Sequence, residues 1–285
     1  MPKSTDRPER VSDLLRAPAG PIDLGSYDTL ATPGFDGDKD AGRAALADVG
    51  LRLSELQERL YAAGTKGDPR RILLVLQGMD TSGKGGTVRH VIGQTDPQGC
   101  VIATFKQPTA EELARDFLWR IRQRLPGPGM LGVFDRSHYE DVLIARVHEL
   151  VPRAVWARRY ATINRFEARL AERGTVLIKV FLHISKKEQR QRLLARLDDP
   201  TKHWKFDPHD LDERGRWSDY RAAYEDVLTK CNPQTAPWYV VPADRKWYRN
   251  WAVAQLLTEH LEGLQLTWPK ADFDIAEQRT RLLAD

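Results

Sequence analysis

Short apolar segments alternate with longer segments of helical periodicity along most of the chain. Apolar residues at helical spacing predict a first long helix over residues 41–63, through Leu46, Val49, Leu53, Leu56 and Leu60. Residues 71–77 are apolar almost throughout and are followed at once by Gly78. This pattern is typical of a strand that is buried on both faces of a parallel sheet.

The same alternation continues through the rest of the chain. Four further strands are predicted at residues 100–105, 131–135, 175–182 and 238–241, and further helices at residues 83–93, 109–125, 140–150, 152–172 and 245–264. Thr109 followed by Glu112 resembles a capping box at the start of one of these helices. Strands that alternate with helices predict an α/β fold with a five-stranded parallel sheet and right-handed crossovers.

The segments outside this pattern divide the chain into three regions. Residues 1–40 are rich in Pro, Gly and Asp and have little periodicity, which predicts an irregular N-terminal arm that wraps the core. Residues 41–270 form the predicted main domain, with a mobile insert at about residues 186–216. Residues 271–285 are a C-terminal tail for which the sequence predicts no role.

Composition narrows the class of protein. Hydrophobic residues make up 41% of the 285 residues and charged residues 29%, the balance of a globular protein. No apolar run approaches the roughly 20 residues of a membrane helix, and the first residues lack the apolar core of a signal peptide. Two cysteines cannot form a disulfide framework or a zinc site alone. We therefore expect a cytoplasmic protein, whose net charge of +4 fits an anionic partner without requiring one.

The most informative motif follows the first predicted strand. Its pattern, G-x-x-x-x-G-K, is that of a phosphate-binding loop between a strand and a helix. Such a loop turns backbone N–H groups inward, the helix N-terminus adds positive potential, and Lys84 places a cation against the phosphoryl oxygens as a catalytic residue. The predicted phosphate-binding residues are Gly78, Thr81, Ser82, Gly83, Gly85, Gly86 and Thr87.

The loop departs from the usual pattern at the position after the lysine. Gly85 replaces the Ser or Thr whose hydroxyl normally binds Mg²⁺, and the loop carries a carboxylate, Asp80, instead. Because carboxylates are hard oxygen ligands suited to Mg²⁺, we expect Asp80 to bind the metal or to orient the attacking phosphate oxygen. A local role for Asp80 as a turn cap stays open.

A second acidic cluster follows the third predicted strand. Asp135 lies at the carboxyl end of that strand, where ligands bind in open α/β sheets, and is placed like a Walker B aspartate facing Mg²⁺. The next residue, Arg136, can contact phosphate oxygens through two parallel hydrogen bonds. Glu140 and Asp141 begin a predicted helix, where acids are also favoured by the helix dipole. His138 lacks a partner at metal-ligand spacing and is interpreted as structural.

The insert between the fourth and fifth predicted strands is strongly basic. Arg192 and Arg196 are four residues apart, so they share a helical face, and Lys202 and Lys205 follow. A kinase needs a part that closes, excludes water and delivers cations to the moving phosphate. We therefore predict a lid whose catalytic arginine is Arg192 or Arg196, with a solvated surface helix as the alternative.

Taken together, these motifs resemble the polyphosphate kinase 2 family. The matching segments are residues 78–86, 105–109, 134–141, 198–206 and 237–241, and the likeness extends over about residues 30–265. The resemblance implies a thymidylate-kinase-like P-loop fold with three α/β/α layers and a helical lid. It also implies reversible, Mg²⁺-dependent phosphoryl transfer between inorganic polyphosphate and a nucleoside mono- or diphosphate, by a protein that forms homo-oligomers.

Roles for individual residues follow from the same resemblance. Lys84 would hold the transferring phosphate, while Asp80 and Asp135 would manage the metal ions and the nucleophilic phosphate. Arg136 would contact the nucleotide phosphates, and Lys106, in the second matching segment, is a further candidate for nucleotide binding.

The resemblance leaves the identity of the acceptor open. A glutamate at position 140 is similar to family members that accept AMP, often as well as ADP. There Glu140 would coordinate a further metal ion, or a water molecule that spans the gap left by a shorter nucleotide. Asp135 instead resembles the ADP-specific members, because these typically have Asp at this position whereas AMP-accepting members often have Asn. GMP and GDP are further candidate acceptors.

Two other classes of function remain open. An ATP-dependent nucleoside monophosphate or small-metabolite kinase would share the fold, although Asp80 and the arginine-rich lid favour a polyanionic donor. A non-catalytic regulatory module that binds nucleotides or nucleic acid is permitted by the basic stretches, but the sequence contains no recognised nucleic-acid motif. We therefore expect neither nucleic acid nor a membrane among the partners.

Overall fold

Five parallel strands form the central sheet of the computed structural model, which describes residues 9–285. They are β1 (Arg71–Gln77), β2 (Cys100–Thr104), β3 (Leu131–Asp135), β4 (Thr175–His183) and β5 (Trp238–Pro242). Their order across the sheet is β2-β3-β1-β4-β5. The predicted α/β fold is confirmed, and each predicted strand is found to within one residue at its ends.

The central strand β1 shows why these segments are apolar almost throughout. It pairs with β3 on one side and with β4 on the other. Leu73 and Val75 belong to the buried cluster on one face of the sheet, whereas Ile72, Leu74 and Leu76 belong to the cluster on the opposite face. Because helices cover both faces, neither set of alternating side chains reaches water.

Twelve α-helices surround the sheet within the described part of the chain. They are α1 (Val11–Leu15), α2 (Lys39–Thr65), α3 (Lys84–His90), α4 (Ala110–Leu113), α5 (Trp119–Arg122), α6 (Ile144–Val147), α7 (Arg153–Glu172), α8 (Lys186–Leu197), α9 (His209–Gly215), α10 (Trp217–Lys230), α11 (Lys246–Gly263) and α12 (Ile275–Leu283). None of residues 9–285 lies in a helix with the length and apolar character needed to cross a bilayer.

Two layers of helices enclose the sheet and complete a three-layer α/β/α arrangement. On one face α2 and α11 pack together, so that Leu53 and Leu256 share a buried cluster with Leu74 of β1. On the other face α7 and α10 contribute Ile163 and Val227 to the second cluster. The apolar faces of these long helices therefore supply both halves of the core.

The helix predicted over residues 109–125 is broken. The capping box at Thr109 and Glu112 is formed, but α4 ends at Leu113 and helical structure resumes only at α5. Between them Asp116 forms a turn, because its side chain accepts a hydrogen bond from the N–H of Leu118 and its carbonyl accepts one from Trp119. Local side-chain bonding of this kind competes with helix continuation.

The helix predicted over residues 140–150 is also interrupted. A 3₁₀ helix covers His138–Asp141 and is followed by the short α6. The segment ends at Glu149, whose φ of +51° is left-handed and cannot continue a helix. The next predicted helix, by contrast, is present as α7.

The N-terminal arm lies against β5 and α11. Its first eight residues fall outside the described part of the chain. The N–H groups of Val11 and Ser12 donate hydrogen bonds to the carboxylate of Glu259, over 3.0 and 2.9 Å. Arg16 forms an antiparallel bridge with Tyr239 of β5. The arm is more ordered than expected, and the proposed boundaries at residues 40 and 270 stay predictions.

The sequence patterns also left α1, α10 and α12 unassigned. α10 follows the lid and contributes to the core, whereas α12 lies in the C-terminal tail and none of its residues is buried. The insert itself consists of α8, a 3₁₀ helix at Pro200–Lys205, and α9. Its helical character agrees with the predicted lid.

We predict that replacing Gly64 with alanine destabilises the fold by about 1–3 kcal/mol through overpacking. A Cβ atom at Gly64 in α2 would lie 2.4 Å from the Cα of Gly129, a backbone atom that cannot move aside cheaply. Denaturant unfolding measures the change. In the control Gly263→Ala the new methyl group meets nothing within 4 Å, so stability should be unchanged or slightly higher. Equal stability of the two variants would contradict this account of the α2 packing.

Candidate active site

The phosphate loop, residues 78–83, connects β1 to α3 and has an unusual backbone. Gly78 and Gly83 have φ values of +151° and +112°, and Thr81 has a φ of +63°. Glycine adopts such angles without cost, whereas Thr81 is strained by about 1–2 kcal/mol. Strain of this size is found where backbone geometry serves a ligand site.

Side chains hold the carbonyl oxygens of the phosphate loop. The ammonium group of Lys84 donates hydrogen bonds to the carbonyls of Gly78, at 2.7 Å, and Met79, at 3.4 Å. The amide of Gln189, from α8, donates to the carbonyl of Asp80 at 3.0 Å. The first N–H groups of α3 have no partner within the helix and are therefore available to an anion.

Arg192 continues this pattern and occupies a different position from that expected of a lid arginine. Its Nη1 donates to the carbonyls of Thr81 and Ser82, at 2.9 and 3.1 Å. Its Nη2 donates to the carbonyls of Ala243 and Asp244, beyond β5, and its Nε pairs with a carboxylate of α8. All three nitrogens of this buried guanidinium bind within the protein. These contacts brace the loop, and the catalytic role of Arg192 stays a prediction.

Arg196 also binds within the lid. Its Nη1 donates to the carbonyl of Lys205 at 2.8 Å and to Asp210 at 3.2 Å, which joins α8 to the rest of the insert. Lys106 is exposed and does not line the cleft beside the phosphate loop. For both residues a contact with substrate stays a prediction.

Three hydroxyl groups of the loop and of the first turn of α3 fit a bound oxyanion. The side-chain oxygens of Thr81, Ser82 and Thr87 are buried and have no hydrogen-bond partner among the described residues. A buried hydroxyl without a partner is costly, and phosphate oxygens are strong acceptors. The donor set of the loop is therefore suited to a phosphoryl group.

The acidic residues lie beside the loop because of the strand register. Asp135, the last residue of β3, is level with Leu76 of β1 and with Thr104 of β2. The next residue, Arg136, has a left-handed φ of +64°, and its Nη2 donates to Asp80 at 2.9 Å. The structure thus places both predicted aspartates and the predicted arginine at the same end of the sheet.

Electrostatics link these groups to Lys84. Burial, followed by the charge of Arg136, lowers the pKa of Lys84, whereas Asp80, Asp135 and Glu140 act in the opposite sense. Burial raises the pKa of Glu140 despite Arg136 and Lys84. Burial also acts to lower the pKa of Arg136, but Glu140 and Asp80 outweigh it, so the pKa is raised. Two cations and three carboxyl groups therefore form one interacting cluster.

This cluster suits a metal ion that the substrate helps to hold. Within residues 9–285, no group of three or more His, Cys, Asp or Glu side chains is placed to bind a metal. Mg²⁺ usually takes one or two carboxylates and completes its shell with substrate phosphates and water. One or two of the carboxylates of Asp80, Asp135 and Glu140, completed by substrate oxygens, fit that requirement.

A cleft of about 220 Å³ separates the phosphate loop from the lid. The lid was expected to line it with arginines, but the structure instead presents the acids Asp207, Asp210 and Glu213. A histidine contact and a salt bridge hold this arrangement, since His148 lies 2.8 Å from the carboxyl group of Glu213 and Arg196 pairs with Asp210. Arg192 of α8 thus faces the loop backbone, and Arg196 faces the lid interior.

A fully buried network supports the segment that carries Arg136 and Glu140. The ammonium group of Lys179 in β4 donates to Glu167 at 2.6 Å, and the hydroxyl of Tyr139 donates to the same carboxylate at 2.6 Å. His138 contacts Glu167 at 3.1 Å, which agrees with its predicted structural role. The 3₁₀ helix at His138–Asp141 is therefore anchored by the buried ion pair of Lys179 and Glu167.

Several residues at the site were not predicted. Tyr220 and Tyr224 of α10 line the cleft, and Gln189 and Arg249 contact the loop backbone. α10 was not assigned from the sequence, so its tyrosines could not be placed. The burial of Arg249, by contrast, could have been predicted. It precedes Ala252, Val253 and Leu256 by three, four and seven residues, so it lies on the apolar face of α11.

The fold and the phosphate loop together define a P-loop kinase-like phosphotransferase. Comparison with known proteins makes this more specific, since the polyphosphate kinase 2 family matches residues 36–267. This chain belongs to the polyphosphate kinase 2 family and is a phosphate-transferring enzyme.

Individual relatives agree with that assignment. Over 255 residues the chain is 49% identical to the AMP/ADP-polyphosphate phosphotransferase of Meiothermus ruber, covering 90% of this chain and 94% of the relative. It is 43% identical to the ADP-polyphosphate phosphotransferase of Rhodopseudomonas palustris, covering 87% and 89%. The crystal structure of polyphosphate kinase 2 from Arthrobacter aurescens superposes with a TM-score of 0.95 at 53% identity, covering 98% of each chain.

We predict that Lys179→Met lowers the free energy of unfolding by about 3–5 kcal/mol, because Glu167 is left buried without its cation. Denaturant unfolding at neutral pH measures the loss. The matched control is Lys230→Met, which removes an ammonium group that pairs with Asp226 and is 46% exposed. This variant should lose no more than about 1 kcal/mol. A loss from Lys179→Met as small as the control's would contradict the buried anchor.

Proposed function

We propose that this enzyme transfers phosphoryl groups reversibly between inorganic polyphosphate and nucleoside mono- and diphosphates. One observation carries the proposal. Asp80 of the phosphate loop, Arg136 and Glu140 line one cleft, and Lys84 and Asp135 interact electrostatically with them. Relatives that cover most of the chain are named for transfer between polyphosphate and AMP or ADP, which supports the same donor and acceptors here.

The residues of the loop bind and orient the reacting phosphate. N–H groups at the start of α3 and the hydroxyls of Ser82 and Thr87 donate to its oxygens, while Lys84 supplies a compact positive charge. Arg136 holds the attacking nucleotide phosphate in line with the phosphorus–oxygen bond that breaks. The transferring group carries charge on three oxygens, so catalysis comes mainly from positioning and electrostatic stabilisation.

Mg²⁺ is the proposed cofactor, and one or two of the carboxylates of Asp80, Asp135 and Glu140 would hold it together with substrate oxygens. When bound, the metal neutralises charge on the phosphate chain. Arg136 also keeps Asp80 directed toward the cleft, since the two side chains are 2.9 Å apart. The lid residues on α8 and α9 exclude water, so that the phosphate passes to the nucleotide.

The acceptor range is proposed to include both AMP and ADP. Glu140 is in the cleft and lies close enough to Arg136 and Lys84 for their charges to affect its pKa. A carboxylate at this point can hold water or metal in the space that a shorter nucleotide leaves. The Meiothermus ruber relative, whose name includes both acceptors, supports this range.

We predict that Lys84→Ala strongly slows transfer while the protein stays folded. Enzyme is mixed with Mg²⁺, polyphosphate and AMP or ADP in the absence of ATP, and new nucleotides are separated by chromatography. Wild type should form ADP and ATP, and the variant should be slower by about 10²-fold or more, because one preorganised cation is lost. The control is Lys66→Ala, which removes an exposed ammonium group that pairs with Asp272 far from the loop. No product from wild type, or normal turnover by Lys84→Ala, would contradict the proposal.

We predict that Glu140→Gln impairs phosphorylation of AMP more than that of ADP, by about tenfold in relative kcat/KM. Because burial raises the pKa of Glu140 above its ordinary value of 4.5, its carboxylate form is lost as the pH falls through that raised value. The acid side of the wild-type profile with AMP should therefore fall above pH 4.5 and flatten in the variant. The exposed Glu149→Gln serves as control. An equal loss with both acceptors would contradict the role given to Glu140.

A further inference from the structure

Arg249 of α11 lies directly behind the phosphate loop. Its side chain is buried, and its Nη1 donates to the carbonyl of Ser82 at 3.3 Å. Its Nε and Nη2 both donate to the side-chain oxygen of Asn250, at 3.1 and 2.7 Å. A Cβ atom built on Gly83 would lie 1.7 Å from Nη1, so the guanidinium rests against a glycine of the loop.

The charge of Arg249 is not balanced within the described part of the chain. No carboxylate of residues 9–285 forms a salt bridge with it, whereas Arg192 nearby is paired with Glu188. Burial, followed by the charge of Arg192, lowers the pKa of Arg249. A buried cation without a counter-ion destabilises a fold, and an apolar side chain of similar size is often more stable at such a position.

Arg249 lies on an apolar face of α11, where a charged side chain is unfavourable. Its neighbours on the same face of α11 are Ala252, Val253 and Leu256, all fully buried in the apolar cluster beneath the sheet. An apolar residue would continue that face without interruption. The arginine is therefore better explained by the loop it touches than by the packing of the helix.

We propose that Arg249 is a positioning residue that fixes the phosphate loop and holds an unbalanced positive charge behind it, which only a bound polyanion neutralises. This rests on the proposed function, since it assigns polyphosphate as the balancing anion. The bond to Ser82 and the contact with Gly83 keep the loop in the conformation that turns N–H groups toward the phosphate. The charge adds to the potential of Lys84 without touching the reacting atoms.

A purely structural role and a positioning role predict different behaviour. If Arg249 only supported packing, its removal would lower the melting temperature and leave ligand binding unchanged. If it positions the loop for a polyanion, its removal should leave the ligand-free protein as stable or more stable, and should weaken the response to phosphate chains. The ligand-dependent response therefore separates the two.

The test compares wild type, Arg249→Met, Arg249→Lys and the exposed control Arg43→Met. Melting temperature is measured without ligand and with Mg²⁺ and inorganic tripolyphosphate, and KM and kcat are measured with polyphosphate and ADP. Arg249→Met should melt no lower than wild type without ligand and lose most of the tripolyphosphate-induced shift. Its KM for polyphosphate should rise about tenfold, with a smaller change in kcat. Arg249→Lys, which keeps a charge but not the fork to Asn250, should be intermediate, and Arg43→Met unchanged.

Separate outcomes would contradict the role of Arg249 and the proposed function. A lower ligand-free melting temperature with an unchanged shift and KM in Arg249→Met would overturn the inference. If that variant does not fold, Arg249→Lys decides, and a wild-type KM and shift in it would overturn the inference. Wild type that tripolyphosphate stabilises without passing phosphate to any nucleotide would contradict the proposed function. Loss of that stabilisation in Arg249→Met would still support the role of Arg249.

Discussion

The site depends on one constraint, which is that the carbonyl oxygens of the phosphate loop must point away from an anion. All five carbonyls of residues 78–82 accept hydrogen bonds from side chains, and those side chains come from α3, α8 and α11. Three of the donors are cations. The loop is therefore shaped by groups that also make its surroundings positive, so geometry and electrostatics are provided together.

The carboxyl groups in and beside the phosphate loop complement this arrangement. Asp80 and Asp135 stand beside Arg136 and Lys84, so cations and anions of the protein are interleaved before any ligand binds. Such a cluster can receive a phosphate chain and its metal ions with little rearrangement, which lowers the cost of reorganisation during the reaction. The buried pair of Lys179 and Glu167 anchors the 3₁₀ helix at His138–Asp141, which carries Glu140.

The sheet and the loop could be predicted from the sequence because their signals are local. An apolar run followed by a glycine-rich turn and a lysine identifies β1, the loop and α3 without reference to the rest of the chain. The orientation of Arg192 could not be predicted, because helical phase shows which face it shares with Arg196 but not what that face meets. The acidic lid surface was missed for the same reason. The breaks at Asp116 and Glu149 depend on local hydrogen bonds and backbone angles that periodicity does not report.

The N-terminal arm has a consequence for the sheet as a whole. β5 is a border strand, and an uncovered border invites pairing with another molecule. The bridge between Arg16 and Tyr239 and the hydrogen bond from Ala17 to Trp238 occupy part of that border. A segment remote from the chemistry thus acts as a short sixth partner for the sheet and leaves fewer backbone groups of β5 free to pair with another strand.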